Sequence, residues 1–212
     1  PYKQRKVRIL NGAHTSFVPA AFLCGHNIVL EAMDDPLIKN FMEHTIHDEI
    51  IPTLDLPRDD LLSFADAVTG RFENPFIKHA LLSICLNSVS KWRARCLPSL
   101  LGYRERTGRL PERLTFSLAA LTALYQNGTL KDGALVCLRA GEPYTLRDDA
   151  AALTFFADNA GLPAAQLARR FLSREDFFGQ DLTKVPGLLD SVSASLEAIR
   201  QNGMRAVMEA KF

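Results

Sequence analysis

The stretch KVRILNGAH, residues 6–14, and the apolar run from Phe17 to Leu30 behind it open the helical pattern that decides the fold. Three polar residues in this stretch can carry chemistry: the base Lys6, the amide Asn11 and the imidazole His14. An α-helix turns about 100° per residue, so on an unbroken helix His14 lies about 80° from Lys6 and about 60° from Asn11. This spacing predicts a first helix from near Lys6 to about Gly25 with all three side chains on one broad face.

The remaining sequence predicts further helices and almost no strand. Apolar residues recur at intervals of three and four, and few runs alternate in the way that strands do. The segment 128–144 is polar and glycine-rich and is predicted as a loop, with Thr145 capping the next helix. We therefore predict a single all-α domain of about eight to ten helices packed on one another. The predicted helices after the first are 36–51, 57–68, 76–103, 114–125, 146–159, 163–172, 184–201 and 203–211.

Composition bounds the class of protein. The 212 residues are 47% apolar and 23% charged, with a net charge of +1, which is ordinary for a globular protein. That charge gives no overall attraction to nucleic acid or to an anionic membrane, and no apolar run reaches the length of a spanning helix. The four scattered cysteines form no CxxC pair, so we expect buried free thiols in a cytoplasmic protein rather than a zinc site.

The start of the chain is basic and begins at Pro1, and a helical pattern follows without any preceding strand. The apolar run behind it has no small-residue cleavage site, so no signal peptide is predicted. We expect this chain to be the back part of a longer protein.

Each polar residue of the opening stretch also has a simpler interpretation. Lys6 can be one of several solvated cations, His14 a helix histidine with its hydrogen bonds satisfied, and Asn11 a residue that marks a bend. A lysine acts as a base near neutral pH only where burial or nearby positive charge lowers its pKa. On one helix face, however, a base and two neutral hydrogen-bond donors suit the polarisation of a carbonyl and the movement of a proton.

A second group of polar residues surrounds a break in the helical pattern. Arg71 and Asn74 flank this break, and Lys91, Arg93 and Arg95 follow on the next predicted helix. Arginine and lysine beside a cleft suit a carboxylate or a phosphate. The alternative is a solvated charged helix face, especially for Arg93 and Arg95.

Several common motifs are absent from the sequence. There is no GxGxxG after a strand, no Walker A sequence, no HExxH and no GxSxG. His44 and His47 lie three residues apart beside two acidic residues, but this spacing on an amphipathic helix is a weak signal for a metal.

These positions resemble a known enzyme family. Lys6, Asn11 and His14 match the Lys-x4-Asn-x2-His signature of the polyol-specific long-chain dehydrogenases, the mannitol dehydrogenase family. The string RKVRILNGAHT is most similar to the branch that contains the tagaturonate reductases, or altronate oxidoreductases. Arg-Phe-x-Asn-Pro at 71–75 and the pair Ser90-Lys91 also resemble family motifs. The resemblance covers the whole chain, which is identified as an all-helical C-terminal domain like that of the 6-phosphogluconate dehydrogenase-like enzymes.

The resemblance implies reversible hydride transfer between NAD(H) and a secondary alcohol or ketone of a small-molecule sugar acid, without a metal. It makes Lys6 the general acid and base, and it makes Asn11 and His14 the groups that hold and polarise the substrate oxygen. Lys91 matches a family lysine near the substrate.

The resemblance also points to a hexuronate, with tagaturonate and altronate as the expected pair. Polyol-specific members carry an arginine eight residues before the lysine that matches Lys91, and this chain has Ser83 there. A uronate carboxylate needs a differently placed cation. Arg71, Lys91 and Arg93 are the candidates, and the sequence does not choose among them.

In the family a Rossmann domain precedes this region and binds most of the NAD. That domain is missing from this sequence, so we expect it as the partner, in the same protein, of a chain that holds no cofactor-binding residues. The chain alone is expected to lack dehydrogenase activity and to expose half of an interdomain cleft.

Two other hypotheses stay open on the sequence. The same family assignment fits fructuronate and mannonate, or a polyol, as substrates. A non-enzymatic helical interaction module with a basic docking surface would instead have Lys6, Asn11 and His14 pointing apart.

Overall fold

The first helix of the chain is not uniform. In the computed structural model, which describes residues 1–212, it comprises α1 (Tyr2–Arg5), a π-helical segment (Lys6–Asn11) and α2 (Gly12–Leu23). A π-helix pairs each N–H with the carbonyl five residues back instead of four. The predicted helix is thus confirmed in extent, with Pro19 inside α2, but its predicted α geometry is wrong over residues 6–11.

Several other helices begin where proline and acidic residues predict. The Asp35 carboxylate accepts a hydrogen bond from Leu37 N at 3.1 Å and caps α4, and Pro163 precedes α11. The helical elements after α2 are α3 (Val29–Asp34), α4 (Pro36–His44), a second π-helical segment (Thr45–Ile50), a 3₁₀ turn (Ile51–Thr53), α5 (Arg58–Phe72), α6 (Leu81–Ile84), α7 (Ser88–Arg95), α8 (Leu97–Thr107), α9 (Glu112–Tyr125), α10 (Ala150–Asp158), α11 (Ala164–Leu172), α12 (Glu175–Phe178), a 3₁₀ turn (Leu182–Lys184), α13 (Leu188–Asn202) and α14 (Met204–Lys211).

The long helix predicted over 76–103 is wrong. Residues 76–80 are not helical, and Ala80 forms an antiparallel bridge with Ile28. Asn87 adopts a left-handed conformation with φ of 55°, which ends one helical stretch before α7 begins. A second interruption falls at Cys96, between α7 and α8, and Pro98 lies in the first turn of α8, where its missing N–H costs no hydrogen bond.

The loop predicted over 128–144 is also wrong, because it folds into a three-stranded antiparallel sheet. The strands are β1 (Thr129–Lys131), β2 (Ala134–Arg139) and β3 (Glu142–Leu146), in that order across the sheet. Asp132-Gly133 and Ala140-Gly141 connect them, and all four residues have positive φ, as two-residue hairpin turns of type I′ require. Thr145 lies in β3 and is not a helix cap.

Helix α9 is the centre of the core. Every residue from Leu114 to Tyr125 is buried, and α2 and α13 pack against this helix. Trp92 of α7 is fully buried and donates from Nε1 to Ser117 Oγ of α9 at 2.9 Å. One cluster of 62 buried apolar residues runs through the whole chain. The site described below therefore lies on a single packed core.

The cysteines and the helix lengths bear on two further predictions. Cys85, Cys96 and Cys137 are buried, Cys24 is partly buried, and all four are free thiols. No set of three His, Cys, Asp or Glu side chains is grouped closely enough to hold a metal ion. None of the helices combines the length and the apolar character needed to cross a lipid bilayer.

Candidate functional site

The segment that carries Lys6, Asn11 and His14 is fixed to the core by its own polar residues. Arg8 donates from Nε to Ser99 Oγ at 2.8 Å and from Nη2 to Thr53 Oγ1 at 2.7 Å. These bonds join the π-helical segment to α8 and to the 3₁₀ turn. The two π-helical segments also contact each other.

Helix α7 ends directly against the start of α2. A Cβ atom at Gly12 would lie 3.1 Å from the carbonyl oxygen of Arg95, so a glycine allows the two backbones to approach. The Cys96 thiol donates to Gly12 O at 3.6 Å, and Arg95 Nη1 donates to Thr15 Oγ1 at 3.4 Å. This packing brings the side chains of α7 close to those of α2.

Lys6 and Asn11 lie at the two ends of the π-helical segment. On an α-helix residues five apart are about 140° apart around the axis, whereas the wider π-helical turn brings them closer to alignment. Lys6 is exposed, Asn11 is half-buried, and Lys6 takes part in none of the eight ion pairs of the chain. This chain alone therefore does not provide the dry surroundings that a lysine base needs.

His14 lies in the wall of a pocket of about 260 Å³. Its ring packs against the ring of Phe72 at 4.1 Å between centroids, with His79 at 5.9 Å. Its Nε2 atom is buried and has no hydrogen-bond partner. The residues that line the pocket are Leu10, His14, Val29, Arg71, Phe72, Ile77 and His79.

The electrostatics of this pocket keep His14 neutral. Burial lowers the pKa of His14 to about 3, and the nearby His79, Arg95 and Lys91 add to that effect. A neutral imidazole can donate one hydrogen bond and accept another. At neutral pH His14 is thus suited to hold a substrate oxygen rather than to deliver a net positive charge.

Lys91 and Arg95 lie one turn apart on α7 and so share a face. Lys91 Nζ donates to Ile84 O at 3.1 Å. Burial lowers the pKa of Lys91, and the neighbouring Arg95 lowers it further. Because both cations act on the pKa of His14, the structure places Lys91 within electrostatic reach of the pocket.

Arg71 lines the same pocket as His14 and forms no ion pair. Glu73, the nearest acidic residue along the chain, is paired with Lys39 of α4. Asn74 does not face the pocket as a free amide, because its Oδ1 accepts a hydrogen bond from Phe76 N at 2.9 Å and forms a turn.

Arg93 is not part of this arrangement. It lines a separate hollow together with Asp148, Asp149 and Asp176, and its guanidinium packs on Gly179. Two residues along a helix from Lys91, it points to a different side of α7. Of the three candidate carboxylate-binding cations, the structure places Arg71 and Lys91 near His14 and places Arg93 elsewhere.

His79 belongs to the pocket and was missed by the sequence analysis. A long helix was predicted there, and a lone histidine carries no motif. In the structure His79 O accepts a hydrogen bond from Val29 N at 2.9 Å. The spacing of His14 and His79 along the chain gives no sign of this pairing, which depends on the bridge between Ile28 and Ala80.

A separate hollow of about 730 Å³ contains none of the predicted site residues. Its two arginines form hydrogen bonds that stabilise the fold. Arg139 donates to Phe22 O at 2.9 Å, and Arg200 donates to Leu162 O at 2.7 Å. The chemistry thus points to the smaller pocket around His14.

Comparison with known proteins identifies the family to which the chain is similar. The family model of the mannitol dehydrogenase C-terminal domain matches residues 1–200. The altronate oxidoreductase of Klebsiella pneumoniae (strain 342) is 50% identical over 215 residues, which cover 99% of this chain and 42% of the relative. That of Pectobacterium carotovorum subsp. carotovorum (strain PC1) is 51% identical over 215 residues, covering 99% and 43%. The chain spans less than half the length of the curated relatives it matches.

One solved structure shares the fold over the whole chain. Pseudomonas fluorescens mannitol 2-dehydrogenase, in a ternary complex with NAD and D-mannitol, superimposes with a TM-score of 0.85 at 25% sequence identity. The match covers 100% of this chain and 40% of that protein. The predicted resemblance and the predicted helical fold class are both confirmed.

Proposed function

The chain belongs to the mannitol dehydrogenase C-terminal domain family, and from this premise we propose that it forms the substrate-binding half of an NAD-dependent hexuronate oxidoreductase. The proposed reaction is reversible hydride transfer between NAD(H) and the tagaturonate/altronate pair. Relatives about half identical to this chain carry the name altronate oxidoreductase, and the structurally similar mannitol 2-dehydrogenase binds NAD and D-mannitol.

The observation that carries the proposal is the composition of the His14 pocket. Its lining contains Arg71 and two histidines but no carboxylate, and Lys91 lies within electrostatic reach. Such a pocket favours an anionic ligand over a neutral polyol. A neutral His14 beside apolar walls is suited to hydrogen bonding with the oxygen that gains or loses a proton.

The proposed roles follow the residues in order. Lys6 is the general acid and base on the substrate oxygen, while Asn11 and His14 hold and polarise that oxygen. Lys91 and Arg71 bind the substrate, and Arg93 is left out because its hollow is lined by Asp148, Asp149 and Asp176.

We further propose that a Rossmann domain of the same protein binds the cofactor. This chain covers about 42% of its altronate oxidoreductase relatives, and the sequence offers no dinucleotide-binding motif of its own. The second domain would cover the exposed Lys6 and complete the cleft. The 212-residue chain by itself should show no altronate-dependent NAD reduction.

The test uses the full-length protein with NADH and tagaturonate. Lys6→Ala should lower kcat by at least about a hundredfold, the usual scale of a lost general acid or base, without changing the circular dichroism spectrum. Lys131→Ala, which removes an exposed lysine from β1, should keep the wild-type rate. Near-normal turnover by Lys6→Ala would show that Lys6 is not the base.

A substrate panel decides between the members of the family. We expect tagaturonate to exceed fructuronate and any neutral ketose in kcat/KM. A preference for fructuronate would change the substrate within the same chemistry, and the absence of any NADH-dependent turnover would favour an interaction module.

A further inference from the structure

We propose that His79, together with Arg71, binds the carboxylate of the sugar acid and so determines the preference for a uronate over a neutral sugar. This inference rests on the proposed function, since it assigns the acidic end of the proposed substrate. His79 would touch the substrate but take no part in the proton or hydride transfer.

The position of His79 is fixed by the backbone although its side chain is exposed. Its carbonyl accepts from Val29 N at 2.9 Å, and the next bond of the bridge joins Leu81 N to Asn27 O at 2.9 Å. Hydrogen bonds on both sides of Ala80 hold this part of the chain against the start of α3. A recognition residue needs such a rigid support, because a loosely held side chain loses entropy on binding.

The charges around His79 suit an anion. Arg71 lines the same pocket and is unpaired, because Glu73 is already bound to Lys39. No aspartate or glutamate contributes to the pocket wall. A histidine donates a hydrogen bond in both its neutral and its protonated form. An arginine can bind a carboxylate through two parallel N–H···O hydrogen bonds.

The distance between the two histidines matches the two ends of a sugar acid. In a ketouronate the reacting ketone and the carboxylate lie towards opposite ends of a six-carbon chain. His14 is proposed to hold the ketone oxygen, and the ring of His79 lies 5.9 Å from that of His14 on the same pocket wall. The ketone and the carboxylate can therefore contact separate but neighbouring groups.

The other cations are less suited to this task. Lys91 Nζ is already bound to Ile84 O, and it lies on the α7 side of His14. Arg93 faces Asp148 and Asp176 in its own hollow. Arg71 and His79 remain as the exposed donors of the pocket.

The test compares two substrates on the full-length enzyme: tagaturonate, and the ketohexose that carries a hydroxymethyl group in place of the carboxylate. His79→Ala should lower kcat/KM for the uronate about ten- to hundredfold, the scale of one lost hydrogen bond to a charged group. The value for the neutral ketohexose should change by less than about twofold. Arg71→Gln should act in the same direction. His44→Ala and Arg169→Gln, both at exposed residues outside the pocket, are the matched controls.

An equal loss for both substrates would make His79 a structural residue and overturn the proposal, as would an unchanged kcat/KM for the uronate. Binding of altronate to the full-length protein, measured by calorimetry without cofactor, gives a second readout. Weaker altronate binding by His79→Ala than by wild type supports the assignment even if the wild type turns over no uronate, in which case only the proposed function fails. Equal altronate binding by the two proteins, or no binding by the wild type, overturns the role of His79.

Discussion

His14 should make the chain sensitive to acid, and the size of the effect follows from its surroundings. Burial, His79, Arg95 and Lys91 lower its pKa from 6.5 to about 3 in the folded protein. In the unfolded chain the imidazole is free to take up a proton near pH 6.5. The folded state therefore binds fewer protons than the unfolded state at every pH between these two values.

The sign of the effect follows from this difference. A base whose folded pKa is lowered contributes stability that is present above pH 6.5 and is lost as the pH falls towards 3. Between pH 7.5 and pH 5.0 the loss amounts to about 2 kcal/mol, and the full shift corresponds to about 5 kcal/mol. Small domains have only about 5–15 kcal/mol of total stability, so this one residue matters.

The assay is urea unfolding of the 212-residue chain at pH 7.5 and 5.0, for wild type and His14→Gln. The single core cluster of the chain makes independent folding a reasonable expectation. His14→Gln loses packing against Phe72 at both pH values. The measured quantity is therefore the free energy of unfolding of wild type minus that of the variant, compared between the two pH values. That difference should shrink by about 2 kcal/mol at pH 5.0. His44→Gln serves as the exposed control, and an equal pH dependence of wild type and His14→Gln would refute the reasoning.

Two further variants test the core. Burial raises the pKa of Glu49 from 4.5 to about 7 although its carboxylate accepts hydrogen bonds from Arg113 N and Leu114 N. Its stability contribution is therefore present below pH 4.5 and is lost as the pH rises through 7, by about 3 kcal/mol in all. Glu49→Gln should remove this loss when the free energy of unfolding is measured in urea at several pH values. A pH dependence of that free energy equal to that of wild type would contradict the prediction. A Cβ at Gly128 would clash with the side chain of Leu135, so Gly128→Ala should lower the free energy of unfolding by about 1–3 kcal/mol. A urea midpoint equal to that of wild type would contradict the overpacking.

Glu49 and His14 act in opposite directions over the same pH range. Between pH 5.0 and 7.5 the two contributions are each about 2 kcal/mol and nearly cancel in the wild type. A wild-type free energy of unfolding that does not change with pH would thus hide both contributions. Only the variants separate them, which is why each prediction is stated as a difference between proteins.

The helices were predictable where local chemistry decides them. The cap at Asp35 and the proline before α11 act within a few residues and are visible in the sequence. The polar, glycine-rich composition of 128–144 predicts a loop and hides the sheet, although its Asp132-Gly133 is a strong signal for a two-residue hairpin. The left-handed Asn87 is different, because nothing in the helical periodicity around it indicates a break. Its N–H is instead bonded to Arg147 O at 3.1 Å, a partner sixty residues away.

The candidate site divides in the same way. His14 and Arg71 were found from the sequence because they lie in motifs, but the choice between Arg71, Lys91 and Arg93 required the structure. Arg93 differs from Lys91 by two positions on one helix, and that offset alone points it towards Asp176 rather than towards His14. His79 could not be found from the sequence, since it reaches the pocket through the bridge of Ala80 with Ile28.

The opening stretch shows why spacing must be combined with helix geometry. With α geometry throughout, Lys6 and Asn11 would be about 140° apart, too far to act on one oxygen without a long reach by the lysine. The π-helical turn at Lys6–Asn11 brings residues five apart towards the same face, and α2 then places His14 three residues further on. Single π-helical turns are rare in proteins overall, but those that occur are often found at functional sites. Here the turn is held by the bonds of Arg8 to Ser99 and Thr53. The four residues that separate Lys6 from Asn11 in the signature therefore suit a π-helical turn. Arg8, whose hydrogen bonds hold this turn in place, is one of those four residues.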